Sequence, residues 1–367
     1  MKFKISKTTR SRAIAIVVLF LLILLLGIIQ NFPNFIERWY SEGLYPVICT
    51  ILHLLFNFIP FSVGDVFYCC VVVLGLIAVV KLIRLLFAKR FEAFLGYVLK
   101  IVLVVQVLYL VFYLFWGLNY YRPSAAKRLG LQDTSYTIYD IEAVTSRLID
   151  SANLYRSSLT DSDLKTSNAD IYRSAAEAIN TLSKHSASYT SYRPKAKSSM
   201  LTWATNYLQT AGYYNPFTGE SQVNYQMPVF MRPVTTTHEL SHQMGFGAED
   251  EADFVGFLAG ISSQNKLLKY SAYYLGVGEF MSSIRRRDSV AFKSLKTCIS
   301  PAVLTDFKTE RLYWKSFEGR AGTLSGIFYD HFLKANNQPH GLKTYNRMIR
   351  LTMAWYKKNE PASAQAH

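Results

Sequence analysis

Cysteine is scarce in this chain, with four among 367 residues, and three of them lie in the apolar first third. Only Cys298 follows residue 118, so the second part of the chain cannot form an internal disulfide. No two cysteines are spaced like the ligands of a thiolate metal site. A small disulfide-stapled scaffold is therefore excluded, and the second part needs a hydrophobic core or a metal bound by other side chains.

Acidic residues are also few, 25 against 40 basic ones, which gives a net charge of +15. Beyond residue 118, however, the only dense basic cluster is Arg285–Arg287. In the first third of the chain, most basic residues stand at the ends of apolar runs, as basic residues do beside a membrane. The sequence therefore predicts a lipid bilayer as a partner and no nucleic acid.

Charge is absent from long stretches of the first third. The sequence predicts membrane spans at about 13–31, 66–86 and 94–116, because each is long enough to cross a hydrocarbon layer about 30 Å thick. No small-x-small cleavage site follows the first run, which favours an uncleaved anchor over a signal peptide. The apolar segment 44–62 contains prolines and polar residues, so we expect an interfacial helix there, with His53 capped or interfacial rather than a ligand.

Lysine and arginine are distributed unevenly around these spans. The first twelve residues contain five of them, the loop 84–100 contains several, and residues 30–65 contain only Arg38. The N-terminus and that loop are therefore predicted to be cytoplasmic. Three crossings then divide the chain into a membrane region, 1–118, and an extracytoplasmic domain, 119–367.

The second part has no internal repeat and an ordinary mixture of residues. Apolar residues recur at helical spacing in most of it, whereas 200–208 and 221–230 favour strands, with turn signals between them. The fold expected is therefore mainly helical with a small sheet. The predicted helices are 138–156, 169–184, 250–284, 288–298, 302–316, 322–336 and 342–357.

Histidine is rare too, seven in the whole chain, yet two lie four residues apart in "HELSH" at 238–242. On a helix His238 and His242 share one face, and Glu239 lies about 100° round it. Two such imidazoles can bind one Zn²⁺, and Glu239 can act as general base on the attacking water. Thr235–Thr237 supply possible N-cap hydroxyls, and Gly245 can end the helix.

A catalytic zinc site needs a third protein ligand. The next predicted helix opens with "EDEAD", in which Glu249 and Asp253 share a face. Glu249 is therefore the predicted third ligand, and Asp253 is expected to orient a histidine by accepting its other N–H. Glu251 stays open as the alternative ligand, because the phase of a helix near its N-terminus is not fixed by sequence.

The chemistry predicted for this set is hydrolysis of a peptide bond, in which Glu239 takes a proton from water and returns it to the leaving amine. The oxyanion donor stays open among Tyr329, His331, His340 and Tyr345. Strand 221–230 is a possible sheet edge for an extended peptide. We expect the reaction to occur above the bilayer, since the motif lies some 120 residues beyond the last span.

The run 238–253 resembles the gluzincin metallopeptidases, in whose E-x-x-A-D element the glutamate binds zinc and the aspartate supports the site; the matching residues are Glu249 and Asp253. The three spans together with "NPFTGESQVN", "HELSHQMGF", "EDEADF" and "LKANNQPHGLKTYNRM" resemble a bacterial membrane protein family of unknown function. Its members are regarded as candidate zinc-dependent peptidases. That resemblance implies a bacterial inner membrane and a zincin-like domain.

The interpretation is thus a membrane-anchored, mainly α protein whose three transmembrane helices precede an α+β zincin-like domain. It would be a zinc metallopeptidase acting on peptide or protein substrates. The alternative function is a membrane-anchored binding or scaffold protein with a structural zinc or an inactive peptidase fold. An open coordination position beside Glu239, with a cleft leading to it, would distinguish the two.

Overall fold

The computed structural model describes residues 7–132, 135–186, 189–190, 192–339, 341 and 346–359. Residues 7–121 are almost entirely helical. In chain order the elements are α1 (Lys7–Ile29), α2 (Pro33–Phe35), a π-helical segment (Ile36–Leu44), α3 (Tyr45–Phe56), α4 (Val63–Phe87), α5 (Phe91–Phe115) and a 3₁₀ helix (Gly117–Tyr121).

Helices α1, α4 and α5 are long and apolar enough to cross a membrane. Almost none of their side chains is buried, which an apolar helix tolerates only in lipid. α1 packs on α5, and α5 packs on α4. These helices coincide with the three predicted spans, with ends that differ from the predicted ones by at most about six residues, as expected of a membrane protein.

One side of helix α3 packs against residues far along the chain, while the other exposes apolar side chains such as Val47 and Ile51. His53 is buried, and its ring nitrogens lie beside the backbone carbonyls of Gly219, 3.0 Å from Nε2, and of Tyr192, one of which accepts the ring N–H. Tyr45 is buried as well and donates to the carbonyl of Gln243 at 2.7 Å. His53 thus holds two backbone segments together.

The second part is mainly helical, as predicted, and its described residues contain one small three-stranded sheet. The predicted helix 250–284 is two helices, because Asn265 caps a new helix with its side chain. The elements are α6 (Ala125–Arg128), α7 (Ile138–Ser157), a 3₁₀ turn (Asp163–Lys165), α8 (Asn168–Ser183), β1 (Ala196–Ser198), α9 (Thr202–Tyr207), β2 (Gly212–Asn215), β3 (Glu220–Val223), α10 (Arg232–Gln243), α11 (Glu249–Ser262), α12 (Lys266–Arg287), α13 (Ser289–Cys298), α14 (Pro301–Ser316), α15 (Arg320–Ala335) and α16 (Asn346–Asn359).

The two strand predictions need correction. Residues 202–207 form helix α9, because Leu201, Ala204, Thr205 and Leu208 recur at helical spacing on the side that faces a cavity. Within 221–230 only the first residues form a strand, and that strand, β3, is central: it pairs parallel with β1 and antiparallel with β2. The sheet edge next to the histidine motif is therefore β2.

The core of the second part forms around α11 and α12. From Glu249 to Gly260 every residue of α11 is buried, including its acidic first turn. α12 packs against α7, α10 and α11, and contributes the fully buried Tyr270 and Phe280. A helix that is buried all round presents its polar side chains to other protein groups rather than to water.

A group of buried charged side chains fixes the N-terminal end of α4 to the sheet. Lys197 donates to the Glu220 carboxylate, and to the carbonyls of Phe56 and Phe61 at 2.8 and 2.9 Å. Glu220 also accepts from the Gly64 N–H at 2.6 Å. Asp65 accepts from the Met200 N–H at 2.6 Å and from the Tyr213 hydroxyl. We call Lys197, Glu220 and Asp65 the anchor network.

Candidate metal centre

The histidine motif lies on α10, which begins at Arg232 with Pro233 in its first turn. The prediction that Thr235–Thr237 cap this helix is wrong. The helix starts earlier, and these hydroxyls donate to carbonyls three or four residues back. Thr237 also donates to the carbonyl of Gly256 on α11 at 3.0 Å, so the threonines tie α10 to its neighbour instead.

The end of α10 positions the second histidine. Gly245 takes a positive φ of 78°, and the Phe246 N–H returns to the carbonyl of Ser241 at 3.2 Å, which closes the helix as a Schellman turn. The turn places the Phe246 carbonyl 2.7 Å from Nδ1 of His242. A carbonyl only accepts, so Nδ1 of His242 carries the proton and Nε2 is left as the ligand atom.

His238 is held in the same way by a carboxylate. Its Nδ1 lies 2.7 Å from Oδ1 of Asp253, the residue predicted to orient a histidine. The two imidazole rings have centroids 4.9 Å apart and are almost perpendicular. Each histidine thus uses Nδ1 for an acceptor and keeps Nε2 available, which is the arrangement that oriented metal ligands show.

Both Nε2 atoms face Glu249, the first residue of α11. Oε2 of Glu249 lies 3.3 Å from Nε2 of His238, and Oε1 lies 3.8 Å from Nε2 of His242. The backbones of α10 and α11 approach closely here, since a Cβ on Gly256 would lie 2.9 Å from the His238 backbone nitrogen. Each imidazole therefore faces one oxygen of the same carboxylate.

Glu251, the alternative ligand, lies elsewhere. Its Oε1 accepts from the Ala125 N–H at 2.6 Å, and its Oε2 pairs with Arg128 at 3.2 Å. It thus holds the start of α6. The acidic cluster at the start of α11 serves two separate purposes, and the geometry favours Glu249 over Glu251 as the ligand.

Glu239 completes the cluster. Its carboxylate and ligand atoms of the two histidines lie within 4.8 Å of one another. Glu239 is only 4 % exposed, and within the described part of the chain no donor reaches its Oε2. A carboxylate oxygen that is buried without a donor is expected where a proton is to be taken. His238, His242, Glu249 and Glu239 are called the metal cluster below.

The charges of the cluster call for a cation. Burial lowers the pKa of His238, but Asp253 and Glu249 outweigh that effect and hold this pKa well above its usual 6.5. Burial, reinforced by Glu249 and Asp253, raises the pKa of Glu239 to about 8. Against the effect of burial, His242 and His238 lower the pKa of Glu249 to about 2. Nitrogen and carboxylate ligands around a site that attracts positive charge suit Zn²⁺.

A cavity of about 1080 Å³ opens onto the metal cluster. All four cluster residues line it, together with Asp253. Other parts of its wall come from α9, β2, α12, α14 and α15. The cluster is therefore reachable by a ligand of peptide size rather than closed off as a structural metal site.

The protein-family model described as "Protein of unknown function (DUF3810)" matches residues 40–353 of the chain. The chain belongs to this family. No curated protein and no solved structure matches it. The family relationship predicted from the sequence is confirmed, while the family itself assigns no activity.

In this DUF3810 protein the metal cluster is attached directly to the membrane region. The last carbonyls of α10 have no partner within their helix. Trp116, at the end of α5, donates to the carbonyl of His242 at 2.9 Å, and Tyr45 donates to that of Gln243. Arg122 donates to the carbonyl of Gly245 at 3.1 Å and pairs with Glu37. The sequence separation of some 120 residues hid this contact, and no pattern in the sequence pointed to it.

The four proposed oxyanion donors of this DUF3810 protein are now separated. Tyr329 lines the cavity and donates to Oε1 of Glu249 at 2.6 Å. His331 is exposed two residues further along α15. His340 and Tyr345 lie outside the described residues. Among the donors that are described, Tyr329 is the one placed beside the cluster.

Proposed function

We propose that this protein is a membrane-bound zinc metallopeptidase with a zincin-like domain. The observation that carries the proposal is the convergence of two Nε2 atoms and the Glu249 carboxylate beside Glu239, at the wall of an open cavity. His238, His242 and Glu249 would hold Zn²⁺, which supplies Lewis acidity to a water molecule and to the scissile carbonyl. The open cavity favours the enzyme over the alternative of a scaffold protein with a structural zinc.

Each of the surrounding residues would then have a separate role in the reaction. Asp253 and the Phe246 carbonyl fix the orientation of the two imidazoles. Glu239 takes a proton from water at its carboxylate and delivers it to the leaving nitrogen. Hydrolysis adds hydroxyl to the carbonyl carbon and hydrogen to the amine, so no further reactant is needed. Tyr329, whose hydroxyl donates to Glu249, would leave that bond to donate to an oxygen that becomes negative.

The edge strand β2 supports a peptide substrate. The Asn224 N–H donates to the carbonyl of Ala211, so Ala211, Tyr213 and Asn215 face β3. By alternation, Gly212 and Tyr214 direct their backbone N–H and C=O groups away from β3. Both residues line the cavity, where an extended peptide would add a fourth strand next to Glu239.

The same proposal includes the topology. The N-terminus would be cytoplasmic and the metal cluster extracytoplasmic, in a bacterial inner membrane, because lysine and arginine are concentrated at the N-terminus and in the loop between α4 and α5. The partners are a peptide or protein substrate and the bilayer.

The test measures zinc and hydrolysis in the full-length protein purified in nanodiscs. Wild type and Glu239→Gln should each hold one zinc per chain, whereas His242→Ala and Glu249→Gln should hold none. Only wild type should cleave a peptide library, because the amide of the isosteric Glu239→Gln variant cannot accept a proton. Absence of stoichiometric zinc from wild type would refute the proposal, and so would undiminished cleavage by Glu239→Gln.

A further inference from the structure

Helix α15 covers one side of the cavity and presents two different faces. Six residues of α15 line the cavity: Gly322, Ser325, Gly326, Phe328, Tyr329 and Phe332. They lie on one side of the helix, with Phe328 at the border of that side, and three of them are small. Leu333 alone is buried in α15, so the helix crosses the cavity wall with most of its surface uncovered.

The other side of α15 is exposed and carries three large apolar side chains next to His331. Leu324, Ile327 and Phe328 are spaced i, i+3 and i+4, and their exposed fractions are 66, 53 and 74 %. A helix at a water-facing surface carries polar residues on its outer side. A contiguous exposed group of large apolar side chains marks a contact with another apolar body.

Helix α9 and Met200, two residues before it, continue this apolar surface. Met200, Trp203 and Tyr207 are exposed by 58, 73 and 43 %. The two helices adjoin, since a Cβ on Gly322 would lie 3.3 Å from the Tyr207 carbonyl oxygen. We call the following six residues the apolar rim: Met200, Trp203, Tyr207, Leu324, Ile327 and Phe328.

The membrane helices fix the height of the cavity relative to the bilayer. α4 and α5 have 25 residues each, or about 37 Å at 1.5 Å per residue, so about 4 Å of each end extends beyond a hydrocarbon layer of about 30 Å. Phe332 of α15 packs on Phe112 of α5, with ring centroids 6.1 Å apart. Phe112 lies three residues before the end of α5, about 4 to 5 Å along its axis, at the hydrocarbon boundary.

A second contact, with α4, also places the cavity at the height of the hydrocarbon boundary. Phe217, which lines the cavity, packs on Phe67 with ring centroids 4.7 Å apart. Phe67 lies four residues inside α4, about 6 Å along its axis. Tyr68, Phe112 and Trp116 of the membrane helices are themselves part of the cavity wall. One wall of the cavity is thus continuous with the surface that lipid covers.

We propose that the apolar rim lies in the outer leaflet of the bilayer and that the cavity opens toward lipid, so that the substrate is a polypeptide segment directly adjoining a membrane anchor. The substrate class rests on the proposed peptidase function, whereas the position of the rim does not. An unanchored peptide would have to reach the cluster through a mouth bordered by lipid. A segment next to a transmembrane helix starts at the height of the cavity and can extend along β2.

The position of the rim is measured with nitroxide labels in nanodiscs. The exposed Cys69, Cys70 and Cys298 are replaced by serine, the buried Cys49 is kept, and single cysteines are placed at 203 and 328. Matched controls are placed at Tyr139 and Val290, each 76 % exposed, on helices α7 and α13 that pack on α12. Labels at 203 and 328 should be relaxed by oxygen and shielded from an aqueous nickel complex, and the control labels should show the reverse. Equal exposure of all four to nickel would overturn the inference.

The substrate class is tested with two reporters on the same transmembrane anchor in proteoliposomes. Each carries the same randomised eight-residue segment, placed either next to the anchor or after a 30-residue Gly/Ser linker, which spans roughly 30 Å. Wild type should cleave the adjacent segment at least tenfold faster, although both segments are tethered. Equal or reversed rates would refute the substrate class while leaving the peptidase intact. If zinc-loaded wild type cleaves neither reporter, or if Glu239→Gln cleaves them as well as wild type does, both the peptidase proposal and the substrate class fail. The position of the apolar rim is then still tested separately by the nitroxide labels.

Discussion

The anchor network and the metal cluster are both buried groups of ionisable side chains beside the same small sheet, but their hydrogen bonds differ. In the anchor network Lys197 uses all three of its donors, and both oxygens of Glu220 accept from donors of the chain. In the metal cluster two Nε2 atoms face the oxygens of a carboxylate, and no described residue donates to Oε2 of Glu239.

This difference separates a structural role from a chemical one. A buried ionic group that is fully paired contributes to the position of its elements, here the N-terminal end of α4. A buried carboxylate oxygen that lacks a donor, such as Oε2 of Glu239, is costly unless a proton or a cation joins it. Burial and charge alone would have marked both places, and only the hydrogen bonds tell them apart.

Breaking the anchor network should have the largest effect. Lys197→Met leaves Glu220 buried without its cation, which typically costs about 3–5 kcal/mol, the range for one lost partner of a buried pair. The melting temperature in detergent should fall strongly. The double variant Lys197→Met/Glu220→Gln removes the unpaired charge. It should recover part of the lost melting temperature and should still bind zinc. No recovery in the double variant would argue against the pairing.

Moving the carboxylate of Glu239 should have the next largest effect. A Cβ on Gly212 would lie 2.6 Å from Oε1 of Glu239, so Gly212→Ala forces the general base aside. Hydrolysis should fall about a hundredfold, as displacements of about 1 Å at a site can cause, while zinc stays bound. Gly278→Ala is the matched control, because its Cβ meets only Phe307 at 3.5 Å in the same cavity. Equal losses in both variants would contradict this interpretation.

Removing the charge that orients His238 should weaken zinc binding. Asp253→Asn should lower zinc affinity about 10- to 100-fold, the range seen for residues that hydrogen-bond a ligating histidine. Competition with a chromophoric chelator measures it. Glu251→Gln is the control on the same helix and should leave zinc affinity unchanged, since Glu251 contacts Arg128 instead. A larger loss in the control would make Glu251 the ligand after all.

The smallest effect concerns Glu279, which lines the cavity. Burial, reinforced by Asp253, raises its pKa to about 7. Because the folded protein binds this proton more tightly than the unfolded chain, stability falls as pH rises from about 4.5 to 7. Glu279→Gln removes that loss, which amounts to about 1 kcal/mol in the free energy of unfolding after allowance for the partial exposure of Glu279. The melting temperature of the variant should exceed that of wild type at pH 8 but not at pH 5. The same difference in melting temperature at both pH values would contradict the prediction.

Several parts of this arrangement could be predicted because their signals are local. Charge-free runs mark the spans, and the i, i+4 spacing places His238 and His242 on one face of α10 whatever surrounds it. The strand predicted at 200–208 is a helix, because so short a segment does not let periodicity separate helix from strand. The strand predicted as the sheet edge, 221–230, contains the central strand β3, because strand pairing depends on distant residues. The caps at Thr235–Thr237 were misassigned because the start of α10 depends on packing against α11.

By itself the sequence determined the three apolar helices, the mainly helical character of the rest and the identity of the histidine and carboxylate side chains, since each depends on spacing along the chain. Tertiary structure decided the rest. It directed Glu249 toward the histidines and Glu251 toward Arg128, made β2 the free edge, and joined the end of α10 to Trp116 and Tyr45. Those outcomes depend on contacts between residues distant in sequence, which form only when buried polar groups find their partners as the core closes.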